Sequence, residues 1–270
     1  MATRGNGVPK FETVRYETKG AICHIVLNRP EKLNAATDQL VEEVNDALFE
    51  FDADPDLHVA ILAGAGRAFC SGGDVEEIIG ALFARDQAGL REFTKMTCDL
   101  IRNIRRVSRP VIAALNGTVA GAGAVIAAAC DLRVASESAK IAFLFVRVGL
   151  SGADMGASWL LPRLVGLGRA AELLMTGAFI DAKRAYEIGL YQRVVAQDQV
   201  LPEAVALAEK LARGPSPALA VTKRALDLEA TLGLDEALRF EADAQAELME
   251  HPNFREAYEA FGAKREPKFR

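Results

Sequence analysis

The sequence predicts a mixed α/β fold, a core of short strands and helices followed by a helical C-terminal region. Three observations carry that reading. The order strand, strand, helix recurs three times without a simple βαβ alternation, two glycine-rich turns each join a strand to a helix, and from Ala153 onward helical patterning takes over. Half of the 270 residues are hydrophobic, enough to bury a sizeable core. On this basis the chain divides into a core over residues 1–200 and a helical region over 201–270.

The elements follow in order. Residues 11–17 and 21–27 read as a hairpin around Thr18-Lys19-Gly20. Asn28-Arg29-Pro30 breaks the pattern, and Val41, Val44, Leu48 and Phe51 then mark an amphipathic helix with Thr37 or Asp38 as its N-cap. A strand is expected at 58–63, and helix in two parts over 75–107. A buried strand is expected at 111–115, a helix of small residues at 120–129, and short strands at 132–135 and 140–145. Helices are then expected at 157–164, 168–176 and 182–188, a lone strand at 191–195, and helices at 201–213, 217–232, 234–249 and 253–261.

Composition narrows the function. A formal charge of −5 with no long basic run argues against nucleic acid or a membrane surface as partner. No apolar run reaches membrane-spanning length, and residues 1–10 lack the apolar centre of a signal peptide, so a cytoplasmic protein is expected. Cys23, Cys70, Cys98 and Cys130 form no CxxC pair and read as reduced core thiols. The three histidines, His24, His58 and His251, show no ligand spacing, so no metal is expected. A nicotinamide site is excluded: Gly64-Ala65-Gly66 and Gly121-Ala122-Gly123 begin GxG, but Phe69 and Ile126 stand where the third glycine belongs.

The chemistry-bearing stretch is Arg67-Ala68-Phe69-Cys70-Ser71-Gly72-Gly73-Asp74, a small turn between an apolar strand and a helix start. Such a turn bares backbone N–H groups, and the helix behind it adds partial positive charge, the geometry that stabilises an oxyanion. An ordinary β–α turn has the same residues. A second turn, residues 117–123, could present another N–H to a shared oxygen.

With Asn28-Arg29-Pro30-Glu31-Lys32-Leu33-Asn34-Ala35, Arg109-Pro110-Val111-Ile112-Ala113-Ala114-Leu115-Asn116-Gly117, Cys130-Asp131-Leu132-Arg133-Val134-Ala135 and Leu161-Pro162-Arg163-Leu164-Val165-Gly166, the chain resembles the crotonase superfamily, the enoyl-CoA hydratase/isomerase family. The resemblance spans nearly the whole sequence. It implies a spiral of ββα turns, C-terminal helices that build trimers or hexamers as dimers of trimers, and an acyl-CoA thioester substrate, with coenzyme A entering only as part of that substrate. It also implies a thioester oxygen held between two backbone amides, those of Ser71 and Ala122 by motif position, each contributing about 3 kcal/mol. The family usually has glycine where Ala122 stands. Lys32 and Leu33 match the nucleotide-contacting turn, and Ser71, Gly72, Gly73 and Asp74 the pantetheine approach. Phe261, Lys264 and Arg265 fall where the C-terminal helix reaches the nucleotide phosphates; on residue chemistry alone Lys264 and Arg265 read as a solvated basic terminus.

The pattern departs from the family at its two glutamates. Val125 and Phe145 occupy those positions, and neither moves a proton. Asp154 is the substitute, matching the nucleophile of the 4-chlorobenzoyl-CoA dehalogenase branch, whose tryptophan partner is not matched. A carboxylate facing an apolar pocket has a raised pKa and serves as acid or base; an aspartate just ahead of a helix also serves as its N-cap. The resemblance therefore implies a hydratase- or isomerase-type enzyme working through a thioester enolate, with Asp154 as acid/base. Two other readings stand beside it: hydrolysis or another addition on the thioester using Asp154, and a catalytically silent CoA-binding subunit.

Overall fold

The structure, a computed structural model, describes residues 10–269. The chain opens with the antiparallel pair β1 (Val14–Lys19) and β2 (Ile22–Leu27), then a 3₁₀ turn, Pro30–Lys32. Helix α1 (Asp38–Ala53) starts where Thr37 Oγ1 accepts the Leu40 N–H at 3.1 Å, which settles the N-cap on Thr37 rather than Asp38. Its buried residues Leu40, Val41, Val44, Ala47, Leu48 and Phe51 repeat at three to four positions and form one stripe.

Three ββα turns follow. The first comprises β3 (Val59–Gly64), β4 (Ala68–Cys70), a π-helical turn Val75–Ile79 running into α2 (Gly80–Leu82), and α3 (Gln87–Arg106). The second is β5 (Val111–Leu115), β6 (Thr118–Ala120) and α4 (Ala122–Ala129). The third is β7 (Leu132–Ser136), β8 (Lys140–Ala142), a 3₁₀ segment Leu144–Val148, then α5 (Ala157–Val165) and α6 (Leu167–Thr176). In each turn the first strand joins a six-stranded sheet, β1-β2-β3-β5-β7 and then β10 (Arg193–Val195), and the second joins a smaller sheet, β4-β6-β8 and then β9 (Ile180–Asp181). The strands at the second position are too short to show an alternating pattern, so β4 and β6 are read as turn in the sequence. The segment expected as strand at 140–145 leaves the sheet after Ala142.

The chain closes with β9 (Ile180–Asp181), α7 (Ala182–Glu187), β10 (Arg193–Val195), α8 (Val200–Ala212), α9 (Ser216–Leu228), α10 (Leu234–Glu250) and α11 (Pro252–Gly262). Strand alternation splits the core in two. Cys23, Ile25, Leu27, Ala60, Leu62, Ala113 and Leu115 face α1, α3, α4 and the small sheet. Ile22, Val59, Ile61, Ile112, Ala114 and Val134 face α8 through Val200, Ala204 and Ala208. Two of the three histidines make structural bonds: His58 Nδ1 meets the Ala212 carbonyl at 3.1 Å, and His251 Nδ1 accepts the Asn253 N–H at 3.2 Å.

Candidate active site

Strands β4 and β6 run parallel, with Cys70 beside Val119, so both glycine turns leave the small sheet at the same end. They touch backbone to backbone. A Cβ built on Gly123 would lie 2.6 Å from the Cys70 Cβ, and one on Gly121 would lie 3.3 Å from the Gly72 Cα. Gly121 also has φ +51°, so glycine is required there on two counts. The Cys70 thiol is fully buried between the turns; burial pushes its pKa up to about 11, against the pull of the Gly72, Gly123 and Ala36 backbone groups around the sulfur.

The amides of the two turns can be accounted for one by one. In the first turn, Ser71 N–H donates to the Leu33 carbonyl at 3.1 Å and Asp74 N–H to the Ala36 carbonyl at 2.9 Å, while the Gly72 backbone faces the Cys70 sulfur. Gly73 N–H has no acceptor among the described residues. In the second turn, Gly121 N–H donates to the Ala142 carbonyl at 2.9 Å, the Gly123 backbone faces Cys70, and Ala124 N–H returns to the Gly121 carbonyl at 3.0 Å. Ala122 opens α4, where helix geometry leaves its N–H without an intrahelical partner. One amide in each turn is thus uncommitted, and in the first turn it is Gly73 rather than the expected Ser71.

Gly73 and Ala122 both line a cavity of about 230 Å³. Its wall is mostly apolar, with Ile78, Ile79, Phe93, Ile126, Phe145 and Val148 prominent. Thr37, Ser71 and Thr97 add hydroxyls, and Asp154 is the one titratable side chain among the described lining residues. Asp154 is half-buried; burial raises its pKa, and the Met155 N–H, which donates to Asp154 Oδ1 at 2.8 Å, opposes that rise. Its carboxylate does not cap α5, since Gly156 holds the N-cap position with no side-chain cap. Instead Met155 (φ +49°) and Gly156 (φ +85°) take consecutive left-handed conformations that turn the chain between Asp154 and the helix. Burial also raises the pKa of the half-buried Cys98 thiol, and the nearby Asp154 charge adds to the rise.

The remaining predicted residues are distributed as follows. Val125 is fully buried outside the cavity lining, and Phe145 is part of the wall. Gly72 lines the cavity, whereas Asp74 lies behind it: its Oδ1 accepts the Glu76 and Glu77 N–H groups at 3.0 and 3.1 Å, and its Oδ2 pairs with Arg29 at 3.1 Å. Burial alone would raise the Asp74 pKa, but these partners outweigh it and hold the carboxyl low. Leu33 is left-handed at φ +53°, and Lys32 Nζ pairs with Glu76 at 2.8 Å. Phe261, Lys264 and Arg265 lie in α11 and the tail after it, and no described lining residue comes from beyond Met155. Two residues of the first motif gain a role that sequence reasoning did not assign. Arg29 also donates to the Ala35 carbonyl at 2.7 Å, and the fully buried Asn34 donates to the Ala65 and Ala68 carbonyls at 2.9 and 2.8 Å, clamping their loop to the first turn.

Three successive ββα turns, each giving one strand to either sheet, and a helical C-terminal region define the crotonase fold. The sequence matches the family described as enoyl-CoA hydratase/isomerase over residues 17–270, and the chain belongs to that family of enzymes. It is 37% identical over 260 residues to a protein named a probable enoyl-CoA hydratase in Rhizobium meliloti (strain 1021), covering 96% of this chain and 98% of that one. It is 33% identical over 260 residues to the 1,2-epoxyphenylacetyl-CoA isomerase of Escherichia coli (strain K12), with the same coverage. A crystal structure of a provisionally named enoyl-CoA hydratase from Streptomyces coelicolor A3(2) superposes with a TM-score of 0.95 at 44% identity, covering 100% of this chain and 98% of that one.

Proposed function

We propose that the chain is an acyl-CoA isomerase that moves one proton along the acyl group with a single carboxylate. The observation that carries this reading is Asp154, the one titratable side chain among the described residues of an apolar cavity that also holds Gly73 and Ala122. The thioester oxygen lies between the Gly73 and Ala122 amides. The Asp154 carboxylate takes a proton from the acyl chain, the electron pair moves toward the carbonyl as an enolate, and the two amides hold the charge. Return of the same proton to a different carbon shifts the double bond, with nothing gained or lost. Hydration needs a second group to activate water, and Val125 and Phe145 cannot supply it. The likeness to an acyl-CoA isomerase supports the reading.

CoA fits the same arrangement, its pantetheine passing Gly72 and its nucleotide end near Lys32 and Leu33. Phe261, Lys264 and Arg265 then serve a neighbouring subunit, in keeping with trimers or dimers of trimers. The exposed Leu234, Leu238, Phe254 and Tyr258 on α10 and α11 support such assembly.

The test is turnover of a 3-enoyl-CoA, a 2,4-dienoyl-CoA and crotonyl-CoA by wild type and Asp154→Asn. Isomerisation by wild type is expected, lowered about 10²- to 10⁴-fold in the variant, with crotonyl-CoA hydrated poorly by both. Rapid hydration that survives Asp154→Asn would overturn the reading, and tight binding without turnover would indicate a silent CoA-binding subunit. As a base, Asp154 acts deprotonated, so kcat/KM should rise with pH through a midpoint above the ordinary aspartate value of about 3.9. The folded protein holds this proton more tightly than the unfolded chain, so Asp154 destabilises the fold once pH exceeds its folded pKa. Asp154→Asn should accordingly raise Tm at neutral pH while lowering isomerisation as above.

A further inference from the structure

Helix α4 supplies the Ala122 amide at one end, and its other end carries an unusual cap. That end is sealed from water, with Ala127, Ala128, Ala129 and Cys130 all buried. Orphan carbonyls there need donors from within the protein. Arg133, itself only 1% exposed, provides most of them: its Nη1 donates to the Ala127, Ala128 and Cys130 carbonyls at 3.2, 3.3 and 2.6 Å, and its Nε to the Leu190 carbonyl at 2.7 Å. Arg105 Nη1 takes the remaining one, the Ala129 carbonyl, at 2.9 Å.

The charges around this cap do not cancel. Arg105 pairs with Asp131 and Asp227 at 2.9 and 2.6 Å, and the buried Lys223 pairs with Asp131 at 2.8 Å. Arg133 pairs with no carboxylate among the described residues; all its bonds go to carbonyl oxygens. Three cations therefore stand against two carboxylates, leaving one net positive charge at the C-terminal end of α4. A guanidinium stays protonated in such a site. A cation at a helix C-terminus satisfies the negative end of the helix dipole, and its field has the same sign as the N-terminal amides at the opposite end. Eight helical residues separate the two ends, roughly 12 Å along the axis.

We infer that Arg133, with Arg105, is a positioning residue for catalysis: by capping the far end of α4 it fixes the Ala122 amide and adds a buried positive charge behind it, strengthening the hold on the thioester oxygen. The inference rests on the two-amide reading above and adds to it a group that never touches substrate.

The test separates the two. Cinnamoyl-CoA, a conjugated thioester, absorbs further to the red when its carbonyl is polarised, so the bound spectrum reports the field at the oxygen directly. Wild type should show the red shift. Arg133→Met and Arg105→Gln each remove the net positive charge and should lose part of it, with the isomerisation kcat about fivefold lower, as expected for one charge roughly 15 Å away at an effective dielectric near 20, and KM close to wild type. Arg133→Lys keeps the charge and should keep the shift. Arg105 is only partly buried, so its variant carries the test if Arg133→Met does not fold. An unchanged shift in folded Arg133→Met or Arg105→Gln would overturn the inference and leave the two-amide reading standing. Wild type that binds cinnamoyl-CoA with no shift would overturn the two-amide reading, and the inference with it.

Discussion

The two glycine turns meet at one site but are held by different means. The second is the start of a helix: Ala122 is placed by the hydrogen-bond ladder of α4 and by the arginine cap at its far end. The first runs into only the short π-helical turn Val75–Ile79, which begins after Asp74. It is placed by a short parallel bridge to the loop at residues 33–36, through Ser71 to Leu33, Ala36 to Gly72 and Asp74 to Ala36. That loop is in turn pinned by two left-handed residues, Leu33 and Asn34, at φ +53° each. One amide is thus set by a regular ladder, the other by an irregular contact between distant segments. Two amides proposed for one chemical role thus differ in structural origin, and the first turn is expected to be the more sensitive to single substitutions outside itself.

The largest effect that would break this comparison concerns which amide is used. An amide-to-ester replacement at Gly73 removes one N–H and should lower kcat about 10²- to 10³-fold, the usual loss for one oxyanion donor. The same replacement at Ser71 removes the bond to Leu33 but no proposed donor, and should lower kcat far less than at Gly73 while lowering Tm. Reversed outcomes in steady-state assays would restore Ser71 as the donor.

Next come two substitutions that disturb the turns from opposite sides. Gly123→Ala drives a methyl into Cys70 and should destabilise the fold by about 3 kcal/mol, with both amides displaced. Asn34→Ala leaves the helix side untouched but removes the clamp on the first turn and a residue type tolerant of the left-handed region. It should cost about 2 kcal/mol in urea unfolding and lower kcat more than its effect on folding accounts for. Equal kinetic damage from both, scaled to stability, would mean the turns are equally supported.

The smallest effect is at Lys32. Its exposed pair with Glu76 adds nothing measurable to Tm, so Lys32→Ala should unfold as wild type does. Its KM for the CoA thioester should rise if the nucleotide end lies there, and an unchanged KM would remove Lys32 from the binding surface.

Much of this architecture was legible in the sequence because its signals are local. The α1 stripe and its Thr37 cap, the apolar strands β3, β5 and β7, and both glycine turns each depend on a few adjacent residues. The short second strands β4 and β6 were not legible, since three residues such as Ala68–Cys70 carry no period. Nor was the choice between Ser71 and Gly73, which depends on a carbonyl nearly forty positions away in the chain, that of Leu33. On its residues Asp154 reads about equally as a helix cap and a catalyst, and only the family resemblance tilts it to the catalyst. Only the left-handed pair Met155 and Gly156, a conformation no propensity predicts for methionine, moves it off the helix end. Arg133 sits in an ordinary strand pattern, and its burial against α4 is purely tertiary.

The rim of the cavity at Val75–Ile79 is attached to the loop carrying Arg29 and Lys32 by ion pairs of two kinds. Arg29 with Asp74 is shielded from solvent, whereas the carboxylates of Glu76 and Glu77 stand in water. Dissolved salt, with a Debye length near 10 Å at 0.1 M, weakens the outer pairs and leaves the inner one intact. The attachment of this rim therefore divides into an inner pair that is nearly indifferent to ionic strength and outer pairs that salt screens.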